Sequence, residues 1–161
     1  MDLRVQPFDH PDAVKLIEEV QQEYVQRYGD FDRTPTDPAQ FALPRGLFVV
    51  GYLDGVPVAC GGWRAHEDPP DGLRAGDAEI KRMYVQESVR GRGFARGVLA
   101  ELERTARAAG HTRTVLETGL KQPEAIALYT SSGYTAIPKF GYYRDDALSL
   151  CFGKDLVEKG N

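Results

Sequence analysis

The chain has 161 residues, of which 42% are hydrophobic and 27% are charged, and its formal net charge is −4. This length is typical of one domain that buries a core without disulfides or structural metals, so a single domain over residues 1–161 is predicted. The acidic balance argues against a general nucleic-acid binder, because such proteins carry an excess of basic residues to meet phosphate.

The N-terminal segment predicts a strand followed by a long helix. Apolar and polar residues alternate from Leu3 to Phe8, which is typical of a half-buried strand. Asp9 is placed to cap a helix that starts near Pro11 and is ended by Gly29. The apolar face of this helix comprises Val14, Ile17, Val20, Tyr24 and Tyr28.

A proline-containing loop and a hairpin come next. The loop, Asp30–Pro44, carries three prolines and several acidic residues. Two apolar runs, Leu47–Leu53 and Val56–Trp63, flank Asp54-Gly55, which is a strong hairpin signal. Gly61-Gly62 indicates a bulge or a close approach to the backbone. The remaining segments of this region are a helical turn within Pro38–Leu43, a polar loop over Glu67–Gly76 and a third antiparallel strand from Ala78.

The stretch Glu79–Ala109 predicts a strand, a glycine turn and a helix. The strand contains Ile80 and Met83–Val85, and the turn contains Gly91 and Gly93. The helix has apolar residues at three- and four-residue spacing, namely Ala95, Val98, Leu99, Leu102, Ala106 and Ala109, and Gly110 follows it.

This geometry suits an anionic ligand. The first N–H groups of a helix have no internal partner and attract anions, and glycines let a phosphate approach the main chain. Arg90, Arg92 and Arg96 add positive charge. The alternative is a solvated basic helix start. The P-loop run is absent from the sequence, and the dinucleotide fingerprint fits poorly, because Gly97 stands one place late.

The second half of the chain predicts three more strands and one helix. They are a strand at Arg113–Thr118, a helix from Pro123 that Gly133 ends, a strand start at Tyr134–Ile137, a strand at Leu148–Phe152, and a charged tail at Gly153–Asn161. The order of elements predicts an α/β (α+β) fold: one three-layer domain with a mixed, mostly antiparallel central sheet flanked by helices.

Cysteine usage and the N-terminus predict a cytoplasmic protein. Cys60 and Cys151 lie far apart in apolar runs without metal-ligand spacing, which favours reduced core thiols over a catalytic thiol. The first residues have neither a signal-peptide pattern nor a myristoylation glycine, and no apolar run reaches membrane-spanning length. We expect no metal, no membrane and no nucleic-acid partner.

Two motifs carry a resemblance to a known family. Arg90-x-x-Gly93-x-Ala95 resembles the pyrophosphate-binding signature Gln/Arg-x-x-Gly-x-Gly/Ala of the GCN5-related N-acetyltransferase (GNAT) superfamily. The stretch Leu116–Tyr134 resembles the later family motif Asn-x-x-Ala-x-x-Leu-Tyr-x-x-x-Gly-Phe/Tyr. The residues in register with this second motif are Ala125, Leu128, Tyr129, Gly133 and Tyr134.

The resemblance implies acetyl-CoA as co-substrate. The turn amides would hold its pyrophosphate, and the backbone of the preceding strand would face its pantetheine arm. The implied cofactor-binding residues are Met83, Tyr84, Val85, Arg90, Gly91, Arg92, Gly93, Phe94, Ala95, Gln122 and Tyr129. Gln122 stands where the family has asparagine, and the longer side chain is expected to cap the helix poorly.

The resemblance also implies catalytic roles. Tyr129 occupies the position of the general acid, with a packed core tyrosine as the alternative. Glu79 lies eleven residues before Arg90, the spacing of the proton-accepting glutamate in the histone-acetylating branch of the family. The alternative for Glu79 is a strand carboxylate paired with Lys81 or Arg82, and Glu117 is then the reserve base.

The resemblance also implies that the acceptor site lies near the first long loop, which in the family arches over it. The candidates there are Tyr24, Tyr28, Asp30 and Phe31, with packing as the alternative for the tyrosines. Trp63 is expected in the core, and Arg64 is a candidate for reading a substrate carboxylate. Acids that could attract a cationic amine are Asp30, Asp32, Glu67 and Asp68; His10, His66 and His111 are expected at the surface.

The predicted function is an N-acetyltransferase that moves acetyl from acetyl-CoA directly to a primary amine of a small molecule or protein. The alternatives are a transferase that uses a longer acyl-CoA, a CoA-binding sensor or interaction domain without turnover, and a nucleotide-binding module. The resemblance also implies that the chain can form a homodimer.

Overall fold

The computed structural model describes residues 1–156, which form one seven-stranded sheet with helices on both faces. The strand order is β1-β2-β3-β4-β5-β7-β6, and every neighbouring pair is antiparallel except β4 and β5. The strands are β1 (Asp2–Val5), β2 (Gly46–Leu53), β3 (Val56–Ala65), β4 (Asp77–Val85), β5 (Arg113–Gly119), β6 (Thr135–Ala136) and β7 (Ser149–Asp155). The helices are α1 (Pro11–Tyr28), α2 (Phe94–Ala108) and α3 (Pro123–Ser131), with short 3-10 turns at Pro38–Phe41 and Glu87–Val89. The predicted fold class is confirmed.

Several strand ends and one helix cap differ from the predicted positions. The first strand ends at Val5, and the last strand runs to Asp155, so the start of the predicted charged tail belongs to the sheet. The rest of that tail and the predicted domain end at Asn161 lie outside the described residues. The cap of α1 is His10 rather than Asp9, because His10 is the extended residue before the helix and its Nδ1 accepts the Asp12 amide at 3.1 Å.

The hairpin and its glycines form as predicted. The turn at Asp54-Gly55 pairs Leu53 with Val56, and the ladder of β3 with β4 shifts register between Cys60 and Gly62. A Cβ on Gly61 would lie 2.9 Å from Met83 Cγ and 3.0 Å from Val98 Cγ1. Glycine is therefore required here because β4 and α2 press against the backbone of β3.

Each face of the sheet has its own apolar layer. On one face α2 buries Val98, Leu99, Leu102 and Ala106. Trp63 lies fully buried in this layer, and its Nε1 donates to Thr105 Oγ1 at 3.0 Å, so the prediction of a core tryptophan is confirmed. On the opposite face the cluster under α1 comprises Ala13, Leu16, Phe41, Phe48, Val50, Tyr52 and Cys60.

The sheet opens between its two parallel strands. Pairing of β4 with β5 stops at Ile80 and Leu116, although β4 continues to Val85 and β5 to Gly119. Arg82 lies at φ 60°, within a bulge of β4, and its carbonyl accepts the Cys60 thiol at 3.3 Å. The opening leaves the β5-facing edge of β4 without a strand partner, and the functional site lies there. Within residues 1–156, none of the helices is long and apolar enough to cross a membrane.

Candidate active site

A cavity of about 450 Å³ occupies the opening between β4 and β5. Its walls come from the end of α1, the loop that follows it, both strands, the start of α3 and the segment before β7. Tyr24, Tyr28, Asp30 and Phe31, the predicted acceptor-site candidates, all line it. Other lining residues are Asp32, Lys81, Arg82, Met83, Glu117, Gln122, Tyr129, Tyr142, Tyr143 and Ser149.

The start of α2 has the geometry of an anion site. Gly93 is the N-cap at φ 82° and offers no side chain, so the first amides of the helix have no side-chain acceptor. A Cβ on Gly93 would meet nothing within 4 Å, so the positive φ alone requires glycine. The N–H groups here are therefore available to a phosphate.

Arg90, Arg92 and Arg96 differ in their contacts. Arg90 donates from Nε to the Val85 carbonyl at 2.8 Å and from Nη2 to Glu23 at 2.7 Å, which braces the turn against β4 and α1. Arg96 donates to the hydroxyls of Ser131 and Ser132 at the end of α3. Arg92 is exposed and, in the part of the chain that the structure describes, makes no ion pair. Arg92 is thus the arginine left to meet a ligand.

The end of β4 presents its two faces differently. Met83 points toward α2, where it packs with the apolar core. Tyr84 points toward α1 and donates its hydroxyl to Glu19 at 3.3 Å, and burial followed by the Glu19 charge raises the pKa of Tyr84 to about 12. A ligand along this strand would meet the main chain and Met83 rather than the Tyr84 hydroxyl.

Tyr129 projects from α3 into the cavity. Its side chain is buried, and its hydroxyl lies 3.9 Å from Met83 Sδ, a weak acceptor. Burial raises the pKa of Tyr129 to about 12, so the phenol holds its proton at neutral pH. A protonated hydroxyl without a strong acceptor is free to donate to a reacting group.

The structure places Glu79 away from the cavity lining. Its carboxylate accepts hydrogen bonds from Arg64 Nε at 3.0 Å and pairs with His66 Nε2 at 2.8 Å, and it is 4% exposed. Burial raises the pKa of Glu79, but His66, Lys81 and Arg64 outweigh it and lower the value to about 2. A carboxylate held ionised in this way is a poor proton acceptor at neutral pH.

The partners of Glu79 differ from those expected. Neither Lys81 nor Arg82 bonds to it; Arg64 and His66 do. His66 is therefore not a free surface histidine. Arg64, which also donates to the Pro35 carbonyl at 2.8 Å, is tied to the first loop and does not face the cavity.

Glu117 lines the cavity from β5, whereas Glu79 does not line it. Its Oε2 is buried and has no hydrogen-bond partner among residues 1–156. Burial raises the pKa of Glu117, Asp32 and Glu79 raise it further, and Lys81 lowers it, which leaves the value at about 7. A carboxyl group with this pKa can accept and release a proton near neutral pH.

A three-residue ionic cluster lines one side of the cavity. Asp32 Oδ2 accepts from Lys81 Nζ at 3.1 Å and also from Arg82 Nη1. Burial raises the pKa of Asp32, but the two cations outweigh it and lower the value well below the usual range. No local pattern indicates this cluster, because Asp32 and Arg82 are 50 positions apart. Glu67 and Asp68 do not line the cavity, and Glu67 pairs with Arg45 at 3.2 Å.

Gln122 lines the cavity but makes no side-chain cap on α3, as expected for glutamine. Its Oε1 instead accepts the hydroxyl of Tyr28 at 3.3 Å. The substitution for asparagine therefore links α3 to the end of α1.

Cys60, Cys151 and His111 do not line the cavity. Cys60 and Cys151 are free and buried, as predicted for core thiols, and burial raises the pKa of both. His111 packs against Trp63 with 4.9 Å between ring centroids. Over the described range, no three His, Cys, Asp or Glu side chains are grouped so as to hold a metal ion.

The family follows from a match over most of the chain. The model of the Acetyltransferase (GNAT) family matches residues 15–134. The chain belongs to the GNAT acetyltransferase family. As a GNAT protein it is an acetyl-CoA dependent N-acetyltransferase, and the predicted family, enzyme class and co-substrate are confirmed.

Similar proteins match the chain over nearly its full length. The IAA acetyltransferase of Azospirillum brasilense is 36% identical over 144 residues, which cover 89% of this chain and 90% of that relative. A Klebsiella pneumoniae structure assigned to the acyl-CoA N-acyltransferases has a TM-score of 0.76 at 28% identity and covers 97% of each chain. A Salmonella typhimurium structure, assigned as an acetyltransferase and containing its cofactor acetyl-CoA, has a TM-score of 0.70 at 20% identity; the match covers 100% of this chain and 98% of that one.

Proposed function

We propose that this enzyme transfers acetyl from acetyl-CoA directly to a primary amine of a small molecule, with Glu117 as the general base and Tyr129 as the general acid. The cavity, covered on one side by the loop that contains Asp32, favours a small acceptor over a protein surface. Glu117 thereby replaces Glu79, the base expected from spacing.

The residues of the cofactor side fit acetyl-CoA. The bare amides of the turn and first residues of α2 (Gly91–Ala95) suit the pyrophosphate, with Arg92 beside them, and the unpaired edge of β4 at Met83–Val85 suits the amide-containing arm. Gln122 and Tyr129 lie at the cavity end of this path. When bound, acetyl-CoA supplies an acetyl thioester that is activated toward amines.

The acceptor amine must lose a proton before its nitrogen can attack the thioester. An alkyl amine has a pKa of about 10.4 in water and is protonated at neutral pH, so it has no free electron pair for attack. Burial lowers the pKa of an ammonium group while it raises that of a carboxyl group, which narrows the gap between an entering amine and Glu117. Glu117 then takes the proton from the amine nitrogen.

The departing CoA thiolate needs a proton donor. Tyr129 keeps its proton at neutral pH, and among the described residues its hydroxyl has only Met83 Sδ as an acceptor. The phenol oxygen can therefore give its proton to sulfur as the bond to the acetyl group breaks. The observation that carries the proposal is that a proton-accepting carboxyl and a proton-donating phenol line one cavity.

Release of free CoA with a panel of amines tests this proposal. Tyr129→Phe should lower kcat by about 100-fold or more, because transfer by a placed group contributes that much, while the KM for acetyl-CoA changes little. Tyr52→Phe is the matched control, since its hydroxyl bonds to Asp12 outside the cavity. A loss well below tenfold for Tyr129→Phe would contradict the acid role, and CoA binding without release on any amine would contradict turnover.

A further inference from the structure

Two buried cations on β4 share a single buried carboxylate. The side chains of Lys81 and Arg82 are 8% and 3% exposed, and both bond to Asp32. The bulge at Arg82 explains how adjacent strand residues reach one partner, because strand neighbours otherwise point to opposite faces. The cluster therefore carries two positive charges and one negative charge.

Among the described residues, not every N–H donor of the Arg82 guanidinium has a hydrogen-bond partner. Within residues 1–156, its one hydrogen bond is from Nη1 to Asp32, and its Nε is buried without a partner. Arginine carries five N–H donors in a fixed fork, and leaving them unpaired in a buried place is costly. Arg82 lines the cavity, so a bound ligand is the partner within reach.

Neighbouring charges do not supply the missing anion. Asp30 and Arg33 pair with each other at 2.7 Å at the exposed rim. Glu79 is paired with Arg64 and His66, and Asp146 lies exposed at the rim. Glu117 loses its negative charge when it takes the amine proton, which leaves the buried cluster with a net charge of +1. An anionic group on the acceptor would balance that charge.

The mouth of the cavity carries exposed apolar side chains. Phe31, Tyr142 and Leu148 line the cavity and are 45%, 59% and 37% exposed. Exposed apolar side chains at the mouth of a pocket are typical of a site for an apolar part of a ligand.

We propose that the acceptor is a small amine that also carries a carboxylate, held by Arg82 and Lys81, with an apolar substituent directed toward Phe31 and Tyr142. This substrate class rests on the proposed function, because Arg82 and Lys81 would bind the carboxylate in the same cavity where the amine reacts. The Arg82 fork suits a carboxylate, which it can bind through two parallel hydrogen bonds.

Matched compounds test the inference with the wild-type enzyme. L-leucine, L-phenylalanine and L-methionine are each compared with the corresponding amide and with the amine that lacks the carboxylate, and kcat/KM is corrected for the fraction of free amine. The acids should exceed their matched amides by on the order of 10- to 100-fold, as expected for a lost hydrogen-bonded charge contact. Glycine should be poorer than leucine, because it offers nothing to the apolar mouth.

The variant Arg82→Gln locates the effect. It should raise the KM for the acids by on the order of 10- to 100-fold and leave that for the amides within about twofold. Arg82→Lys, which keeps the charge but loses the fork, should fall between. Arg104→Gln on the exposed face of α2 is the matched control. Thermal stabilisation by CoA shows that each variant is folded.

The outcomes separate the two proposals. Equal or better turnover of the amides overturns the carboxylate inference while acetyl transfer to amines stands. An equal loss on acids and amides in Arg82→Gln also overturns it, because that result shows a merely structural role. If the folded wild-type enzyme releases no CoA with any amine, the proposed function fails and the inference fails with it.

Discussion

Replacing Glu117 with glutamine should lower activity and raise stability together. Glutamine keeps the shape of the side chain but cannot take a proton, so kcat/KM should fall by about 100- to 10,000-fold. In the wild-type enzyme kcat/KM should rise with pH through about 7, as Glu117 ionises. In Glu117→Gln this limb should disappear, and only the rise from the amine's own ionisation should remain.

The stability effect follows from the same pKa. Burial raises the pKa of Glu117 from 4.5 to about 7, so between these values the folded state holds more protons than the unfolded state. The free energy of unfolding therefore falls as pH rises through this window, and the full cost is present above pH 7. The full difference corresponds to about 3 kcal/mol. Because the side chain is open to the cavity on one side, we expect about 2 kcal/mol.

Urea unfolding at pH 5 and pH 8, with CoA release over the same pH range, measures both effects. Glu117→Gln should gain most stability at pH 8 and little at pH 5, and the exposed Glu18→Gln should match the wild type throughout. Glu79→Gln provides the decisive comparison: it should be destabilised by about 3–5 kcal/mol, because Arg64 loses its buried partner, yet keep the pH-dependent limb near or below pH 7. A limb that survives in Glu117→Gln and disappears in Glu79→Gln would refute this reasoning.

Four further substitutions test the framework around the site. Gly93→Ala and Gly110→Ala should each lose about 1–2 kcal/mol of stability, since both glycines have positive φ, but Gly93→Ala alone should weaken acetyl-CoA binding by about tenfold in calorimetry. Asp77→Asn should cost about 3–5 kcal/mol in denaturant unfolding, because it leaves the buried Arg113 without the carboxylate that it meets at 2.7 and 2.6 Å; an effect below 1 kcal/mol would contradict the pair's importance. Gln122→Asn should raise the melting temperature, as an asparagine cap contributes about 1 kcal/mol, and no gain would mean that the lost Tyr28 contact outweighs the cap.

Local patterns were sufficient for much of the fold. The spacing of apolar residues in α2, the Asp54-Gly55 turn and the glycines before α2 each reflect contacts within a few residues of chain, which a sequence displays directly. The position of Tyr129 on α3 followed from the family motif. The predicted last strand ends at Phe152, whereas pairing of Gly153 with Val115 carries the strand on to Asp155.

The choice of base could not be made from spacing alone. Glu79 and Glu117 are both strand carboxylates, and what separates them is the residues that face them from other elements. Arg64 and His66 reach Glu79 from β3 and the segment just after it, whereas Glu117 Oε2 makes no hydrogen bond within the described residues. The Asp32 cluster depends equally on a loop folding back over β4. Such long-range pairings leave no periodic trace in the sequence.

Titration of ¹⁵N-labelled protein with acetyl-CoA, followed by amide NMR, tests the central claim most directly. The amide signals of Gly91–Ala95 at the start of α2 should shift most, together with those of Met83–Val85, and Gly93→Ala should reduce those shifts at equal ligand concentration. If acetyl-CoA binds while these amides stay unchanged and the shifts gather elsewhere, the proposed cofactor site and the catalytic roles built on it are wrong.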